Sequence, residues 1–144
     1  MRIVLVCVGK VRRPFEDDVA HYERLLARHA RLETVELSES DLDRESTAIL
    51  KRIPADAHVW VLDREGRMAS SEDLAVLLEQ RRTEGRDLYV VIGGPFGLAD
   101  PVRDRAHERL SLGPVTLPHQ LARVVALEQL FRAHKIVLGQ PYHY

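Results

Sequence analysis

Cysteine is almost absent: the 144-residue chain carries one, Cys7, inside the apolar run 3–8. One thiol excludes a disulfide framework, and its apolar neighbours mark it as a packing group rather than a nucleophile. No apolar stretch approaches the roughly 20 residues that span a bilayer, and the N-terminus shows one arginine before strand-forming residues instead of a signal-peptide pattern. The expectation is a cytosolic protein. A dominant charge is missing too: the net charge of −1 argues against coating nucleic acid through a diffuse positive field. Neither H-E-x-x-H nor C-x-x-C occurs, so no metal site is expected. Repeats, low-complexity segments and a dividing linker are also lacking.

What is present is enough apolar material, 45% of the chain, for one domain spanning 1–144 with a real core. Charge is unevenly spread. Residues 1–100 hold 15 Lys or Arg against 19 Asp or Glu, whereas 101–144 hold 6 against 3 and four of the seven histidines. The C-terminal part is the basic part. Strand and helix patterns alternate: a buried strand at 2–8, then a helix opened by Pro14 with Val19, Tyr22, Leu25, Leu26 and His29 at helical spacing. A strand at 32–37 precedes a helix at 41–53, stopped by Pro54, and a β-rich strand at 58–63 follows. Ser70 or Ser71 caps a helix that turns Leu74, Leu77 and Leu78 inward and ends near Gly85, after which 88–92 is continuously apolar. Apolar strands between helices imply an α/β fold, a mostly parallel sheet covered on both faces.

Two loops carry binding character. Ile92-Gly93-Gly94-Pro95-Phe96-Gly97-Leu98 leaves a strand and runs toward a helix opened by Asp100-Pro101, where backbone amides meet a ligand in α/β sheets. It is not G-x-G-x-x-G, and Leu117 rather than an acid stands about 20 residues on, so the dinucleotide reading fails. In 110–118, Gly113, Pro114 and Pro118 interrupt apolar residues and force extended, irregular backbone. Free amides beside apolar side chains suit the adenine and methionine parts of a nucleoside ligand.

A helix from about His119 to Lys135 gathers Glu128, Gln129, Arg132 and Lys135 on one polar side. Arg123 lies opposite, with Leu127, Leu130 and His134, and a buried arginine demands acceptors: an ion pair in a subunit interface, or a substrate. The apolar surface is wider than one core contact requires, which points to a homodimer. The chain closes with Gly139-Gln140-Pro141-Tyr142-His143-Tyr144, aromatic and imidazole groups directly behind an apolar helix, a tail that is tied down. Among the basic residues, Lys10, Arg12 and Arg13 in the first loop are within the repertoire of RNA-phosphate contacts, although three cations in a loop are ordinarily solvated.

V-I-G-G-P-F-G-L, L-S-L-G-P-V-T-L-P-H-Q, R-V-V-A-L-E-Q-L-F-R-A and the terminal P-Y-H, in this order, resemble the RlmH family of SPOUT-class methyltransferases. The N-terminal I-V-L-V-C-V-G-K and the strand V-W-V-L-D-R-E-G extend the resemblance over nearly the whole chain. It implies a C-terminal trefoil knot and S-adenosylmethionine held in that knot by Leu62, Gly93 and the run Leu112, Gly113, Pro114, Val115, Thr116, Leu117. It further implies methylation of a pseudouridine at N3 in helix 69 of 23S rRNA, with the assembled ribosome as the expected substrate and naked rRNA or the large subunit left open. The implied enzyme is a homodimer in which one subunit's tail approaches the other's cofactor, making Arg123, Tyr142 and His143 substrate contacts.

Methylation of an imide nitrogen requires loss of its proton, because the lone pair is otherwise delocalised into two carbonyls. His143 fits the base role, Arg123 the stabilisation of carbonyl charge, and Tyr142 stacking on the base; a tail that packs on the dimer partner is the competing reading. This chain departs from the family pattern in a short segment between the second strand and the helix ending at Ile53, in Phe96, and in a final Tyr144. The alternatives are a non-catalytic RNA binder, another SPOUT RNA methyltransferase with a different target nucleotide, and an enzyme using the Gly93 loop for ATP or a dinucleotide.

Overall fold

A computed structural model describes all residues, Met1–Tyr144. Five strands and five helices alternate: β1 (Arg2–Val8), α1 (Glu16–Leu26), β2 (Arg31–Leu37), α2 (Leu42–Arg52), β3 (His58–Met68), α3 (Ser71–Glu84), β4 (Leu88–Ile92), α4 (Asp100–Arg105), β5 (Glu108–Ser111) and α5 (His119–Val137). The strands form one parallel sheet in the order β2-β1-β4-β3-β5.

The side-chain alternation of β1 sorts the core into two layers. Ile3, Leu5 and Cys7 pack with α1, α3 and α5 in the larger cluster, while Val4, Val6 and Val8 pack with Ile49 and Ile53 around α2 and Val102 of α4 in the smaller. Both faces of β1 and β4 are thus buried, which explains their unbroken apolar sequences. Cys7 is 3% exposed, and burial pushes its thiol up to about 12, as befits an inert packing group.

Local signals set most boundaries. Asp41 caps α2 by accepting from the Arg44 N–H, Ser70 and Asp73 form a reciprocal capping box on α3, and Gly85 ends that helix at φ 72°. Pro14 does not open α1: a turn closed by Phe15 N–H to Arg12 C=O intervenes, and the helix starts at Glu16. β3 runs five residues beyond the expected 58–63. It pairs with β5 at Trp60–Leu62, then again at Arg67 and Met68 after an irregularity that lifts residues 63–66 out of register. Glu108–Ser111, whose last two residues begin the expected 110–118 loop, is the edge strand β5. Its four residues begin with two charges and are followed by Gly113-Pro114, so period and composition both conceal it.

The chain's direction of travel across the sheet reverses between β1 and β4, the kind of switch point beside which ligands bind at the carboxyl edge of α/β sheets. The loops leaving β1, β3, β4 and β5 all converge on that edge.

Candidate active site

A cavity of about 520 Å³ opens at this edge, a size that suits a nucleoside-sized ligand. Three segments wall it: Leu62-Asp63-Arg64 from β3, Gly93-Gly94-Pro95 with Gly97 after β4, and Leu112, Gly113, Val115, Thr116, Leu117, Pro118 and His119 between β5 and α5. Of the residues expected at a cofactor, Leu62, Gly93, Leu112, Gly113, Val115, Thr116 and Leu117 meet here. Pro114 belongs to the same loop but stands outside the lining. Leu62, Leu110, Leu112 and Gly113 also border a second, largely apolar space of about 340 Å³ under α3 and α5. Its wall includes Trp60, whose buried indole N–H finds no acceptor within the chain.

Backbone chemistry distinguishes the two halves of the wall. The N–H groups of Val115, Thr116 and Leu117 donate no hydrogen bond within the chain, because the flanking prolines hold this stretch extended and away from any ladder. Ser111 Oγ fixes the start of the stretch by accepting from the Gly113 N–H at 3.1 Å. Opposite, the glycine loop is closed by Gly97 N–H to Gly94 C=O at 3.0 Å, and a Cβ on Gly93 would stand 2.5 Å from Gly97 O. Gly93 is therefore required for the turn to close on itself, rather than to leave the cavity open.

Asp63 borders the cavity with a side chain only 4% exposed. Burial alone would raise its carboxyl; the hydrogen bond from Arg109 at 2.7 Å, the Glu65 N–H and the Arg103 and Arg109 charges outweigh it and hold the group below its ordinary value. This clamp ties β5 to the irregular part of β3. Arg64 Nη1 donates to Thr116 Oγ1 at 2.7 Å, linking the β3 and β5–α5 walls across the mouth.

The tail residues lie elsewhere. His143 and Tyr142 fold back on the second half of α5: Tyr142 OH donates to Glu128 Oε1 at 3.1 Å, and its ring meets Phe131 edge-on, 4.8 Å between centroids. Arg132 donates to Glu128 at 2.6 Å, stacks over the Tyr142 ring at 4.8 Å and reaches His143 Nδ1 at 3.0 Å. His143 Nε2 stands 2.7 Å from Glu72 Oε1 of α3, which assigns the proton to Nε2 and the lone pair to Nδ1. Arg132 is 13 residues past His119, about 20 Å along the helix, so within one chain the tail does not reach the cavity. Burial and the Glu128 charge raise the Tyr142 phenol above its usual value, keeping it a donor.

Arg123 is buried on the expected face, 4% exposed, and has its partners within the chain. Its Nη1 lies 2.7 Å from Glu36 Oε2 of β2 and its Nη2 3.7 Å from Glu23 of α1. Burial would raise Glu36, but the Arg123 hydrogen bond and the Val11 N–H outweigh it and lower the carboxyl. Three groups escaped the sequence reading: Arg132 and Glu128, assigned only to a polar helix side, and Asp63, placed only at the end of the 58–63 strand. Glu128 and Arg132 at i and i+4 were the available signal. No cluster of three His, Cys, Asp or Glu is arranged to hold a metal ion, and no helix is long and apolar enough to cross a membrane.

A parallel α/β sheet with a ligand-sized cavity built from irregular loops at its carboxyl edge is the frame of a nucleoside-cofactor enzyme, and comparison with known proteins sharpens that class. The family described as "Predicted SPOUT methyltransferase" matches residues 1–143. The ribosomal RNA large subunit methyltransferase H of Rubrobacter xylanophilus is 46% identical over 99% of this chain and 98% of the relative, and that of Bacillus pumilus is 40% identical over 99% of each. The chain belongs to the SPOUT methyltransferases and, within them, to the RlmH family. Among solved structures, a methylase-family protein of Haemophilus influenzae superposes with a TM-score of 0.54 at 13% identity, covering 99% of this chain and 70% of that one. The SpoU methyltransferase AviRb of Streptomyces viridochromogenes, solved with the cofactor AdoMet, gives 0.50 at 12% identity over 96% of this chain and 61% of that one. At these identities the superpositions speak for the fold.

Proposed function

We propose that this chain transfers the methyl group of S-adenosylmethionine to large-subunit ribosomal RNA, and that its target is N3 of a pseudouridine in helix 69. The observation that carries the cofactor assignment is the cavity itself, where the unpaired amides of Val115, Thr116 and Leu117 stand beside the apolar Leu62, Leu112 and Val115 side chains. Those groups fit a ligand with a polar nucleoside and an amino-acid end, and the orphaned Trp60 N–H adds a donor beside the connected apolar space. When bound, the cofactor supplies a methyl group made electrophilic by a positively charged sulfur. The protein's part is to bind, orient and deprotonate.

His143 takes the N3 proton through Nδ1, while Glu72 holds the opposite N–H and stabilises the imidazolium formed. Arg132, which occupies Nδ1 in the substrate-free tail, turns to the uracil carbonyl on which negative charge develops. Tyr142 presents its ring to the base. Arg123, the residue expected at the carbonyl, acts instead by holding the end of β2 against α5 through Glu36. The tail's distance from its own cavity supports a homodimer in which each cavity is completed by the partner's tail. The convergence of the β4 and β5 loops on one cavity supports a knotted C-terminal segment, and we place the enzyme in the cytoplasm with the ribosome.

Titration calorimetry with S-adenosylmethionine, followed by methyl transfer to ribosomes and to naked 23S rRNA, tests the proposal. Micromolar binding and one new methyl group per large subunit are expected. A folded protein that binds rRNA without binding the cofactor would overturn it.

A further inference from the structure

We propose that the loop Gly9–Arg13 after β1 is this chain's RNA-backbone contact, with Lys10, Arg12 and Arg13 taking phosphates of the strand that delivers the target base. The inference rests on the RNA-methyltransferase reading above and names the surface that holds the RNA.

The first observation is position. The cofactor cavity is walled by the β3, β4 and β5 loops, and the β1 loop lines a neighbouring pocket beside it with Glu36 and Glu39. A Cβ on Gly94 would meet Val8 Cγ1 at 3.0 Å, and a Cβ on Gly9 would stand 3.5 Å from Nε2 of the cavity residue His119. A strand of RNA reaching the cavity past β1 crosses this loop.

The second is that the loop is held rigid although it is exposed. Gln120, 8% exposed, grips it twice: its Oε1 accepts from the Arg12 N–H at 2.9 Å and its Nε2 donates to Lys10 C=O at 2.8 Å. Glu36 accepts from the Val11 N–H at 2.8 Å, and Gly9 N–H donates to Leu37 C=O at 2.6 Å, at a φ of 94° that favours glycine. A buried amide bonded to two main-chain groups of one surface loop fixes the direction of its side chains before any ligand arrives, which lowers the ordering cost of binding.

The third is charge. Two acids face the loop: Glu36 is engaged by Arg123, and Glu39 Oε1 lies 3.3 Å from Arg12 in a solvent-exposed pair that a phosphate displaces. Lys10 and Arg13 have no carboxylate within ion-pair distance. Glu16, Asp17 and Asp18 follow in the first turn of α1, where the helix N-terminus offsets them, and they bound the phosphate surface on that side. For a chain of net charge −1, a local, oriented group of cations is the available source of backbone affinity.

The test is methyl transfer to ribosomes at several salt concentrations, comparing wild type, the triple variant Lys10→Gln/Arg12→Gln/Arg13→Gln and the charge-keeping pair Arg12→Lys/Arg13→Lys. Each phosphate contact to a single strand contributes about 0.7 to the slope of log affinity against log salt, so the triple variant should lose about 2 from that slope. Its KM for RNA should rise at least about tenfold at low salt, with cofactor affinity unchanged, while the charge-keeping pair retains the slope. An unchanged slope overturns the proposal, even with a raised KM, because the effect would then be one of shape. Cofactor binding measured on the same samples separates this outcome from failure of the methyltransferase reading, which would remove it from all three proteins.

Discussion

Gly93→Ala is the sharpest perturbation of the cofactor loop. The added Cβ would lie 2.5 Å from Gly97 O, 2.9 Å from Gly97 C and 3.0 Å from Leu98 Cδ2, and the two closest of these are backbone atoms that cannot rotate away. Moving the oxygen to the 3.4 Å of ordinary contact demands a displacement of about 0.9 Å in a turn closed by a single 3.0 Å hydrogen bond. Overpacking of this kind costs about 1–3 kcal/mol, and at roughly 3 °C per kcal/mol for a chain of this length the Tm falls by about 3–9 °C. Displacement of one cavity wall by nearly 1 Å should weaken S-adenosylmethionine at least about tenfold and slow transfer by up to about 100-fold. Calorimetry and thermal unfolding check both numbers. Gly85→Ala is the control: its φ of 72° strains any side chain, but a Cβ there meets nothing within 4 Å, so about 1 kcal/mol is lost with cofactor affinity intact. Wild-type affinity and Tm in Gly93→Ala would refute the packing argument.

Glu36→Leu strands the buried Arg123 and should cost about 2–4 kcal/mol by denaturant unfolding, whereas Arg123→Met should cost less because the half-exposed Glu36 turns to water. His143→Gln should lower kcat by about 100-fold to 10,000-fold with little change in cofactor affinity, read by single-turnover transfer. Acid should destabilise the fold in a defined window. Burial and the charges of Arg81 and His107 depress His58 to about 4, and burial depresses His134, so the unfolded chain binds protons that the native chain refuses. Stability is full above pH 6.5 and falls as pH drops toward 4, at most about 3 kcal/mol from His58; thermal unfolding from pH 8 to 4 should show a plateau, then a decline that His58→Asn flattens.

The parts of this fold governed by local rules were legible in the sequence. β1 and β4 announce central strands because both faces are buried, and α3 announces both its ends through the Ser70–Asp73 box and Gly85. β5 and the extension of β3 did not show, since each owes its strand character to the other's backbone and carries charged residues outward. The same holds for the site. Gly93 and the 112–117 loop stand out through glycine and proline, which betray irregular backbone, whereas the partners of Arg123 and His143 lie 87 and 71 residues away and are set by topology alone. Pro14 misled because its fixed φ suits a turn as well as a helix start.

Incubating the protein with methyl-labelled S-adenosylmethionine and ribosomes from cells lacking this activity, then digesting the RNA to nucleosides, locates the transferred group. Label is expected in one nucleoside, pseudouridine methylated at N3, from helix 69. Label in any other nucleoside would contradict the target assignment, and no label at all, from a protein that binds the cofactor, would contradict the ribosome as substrate.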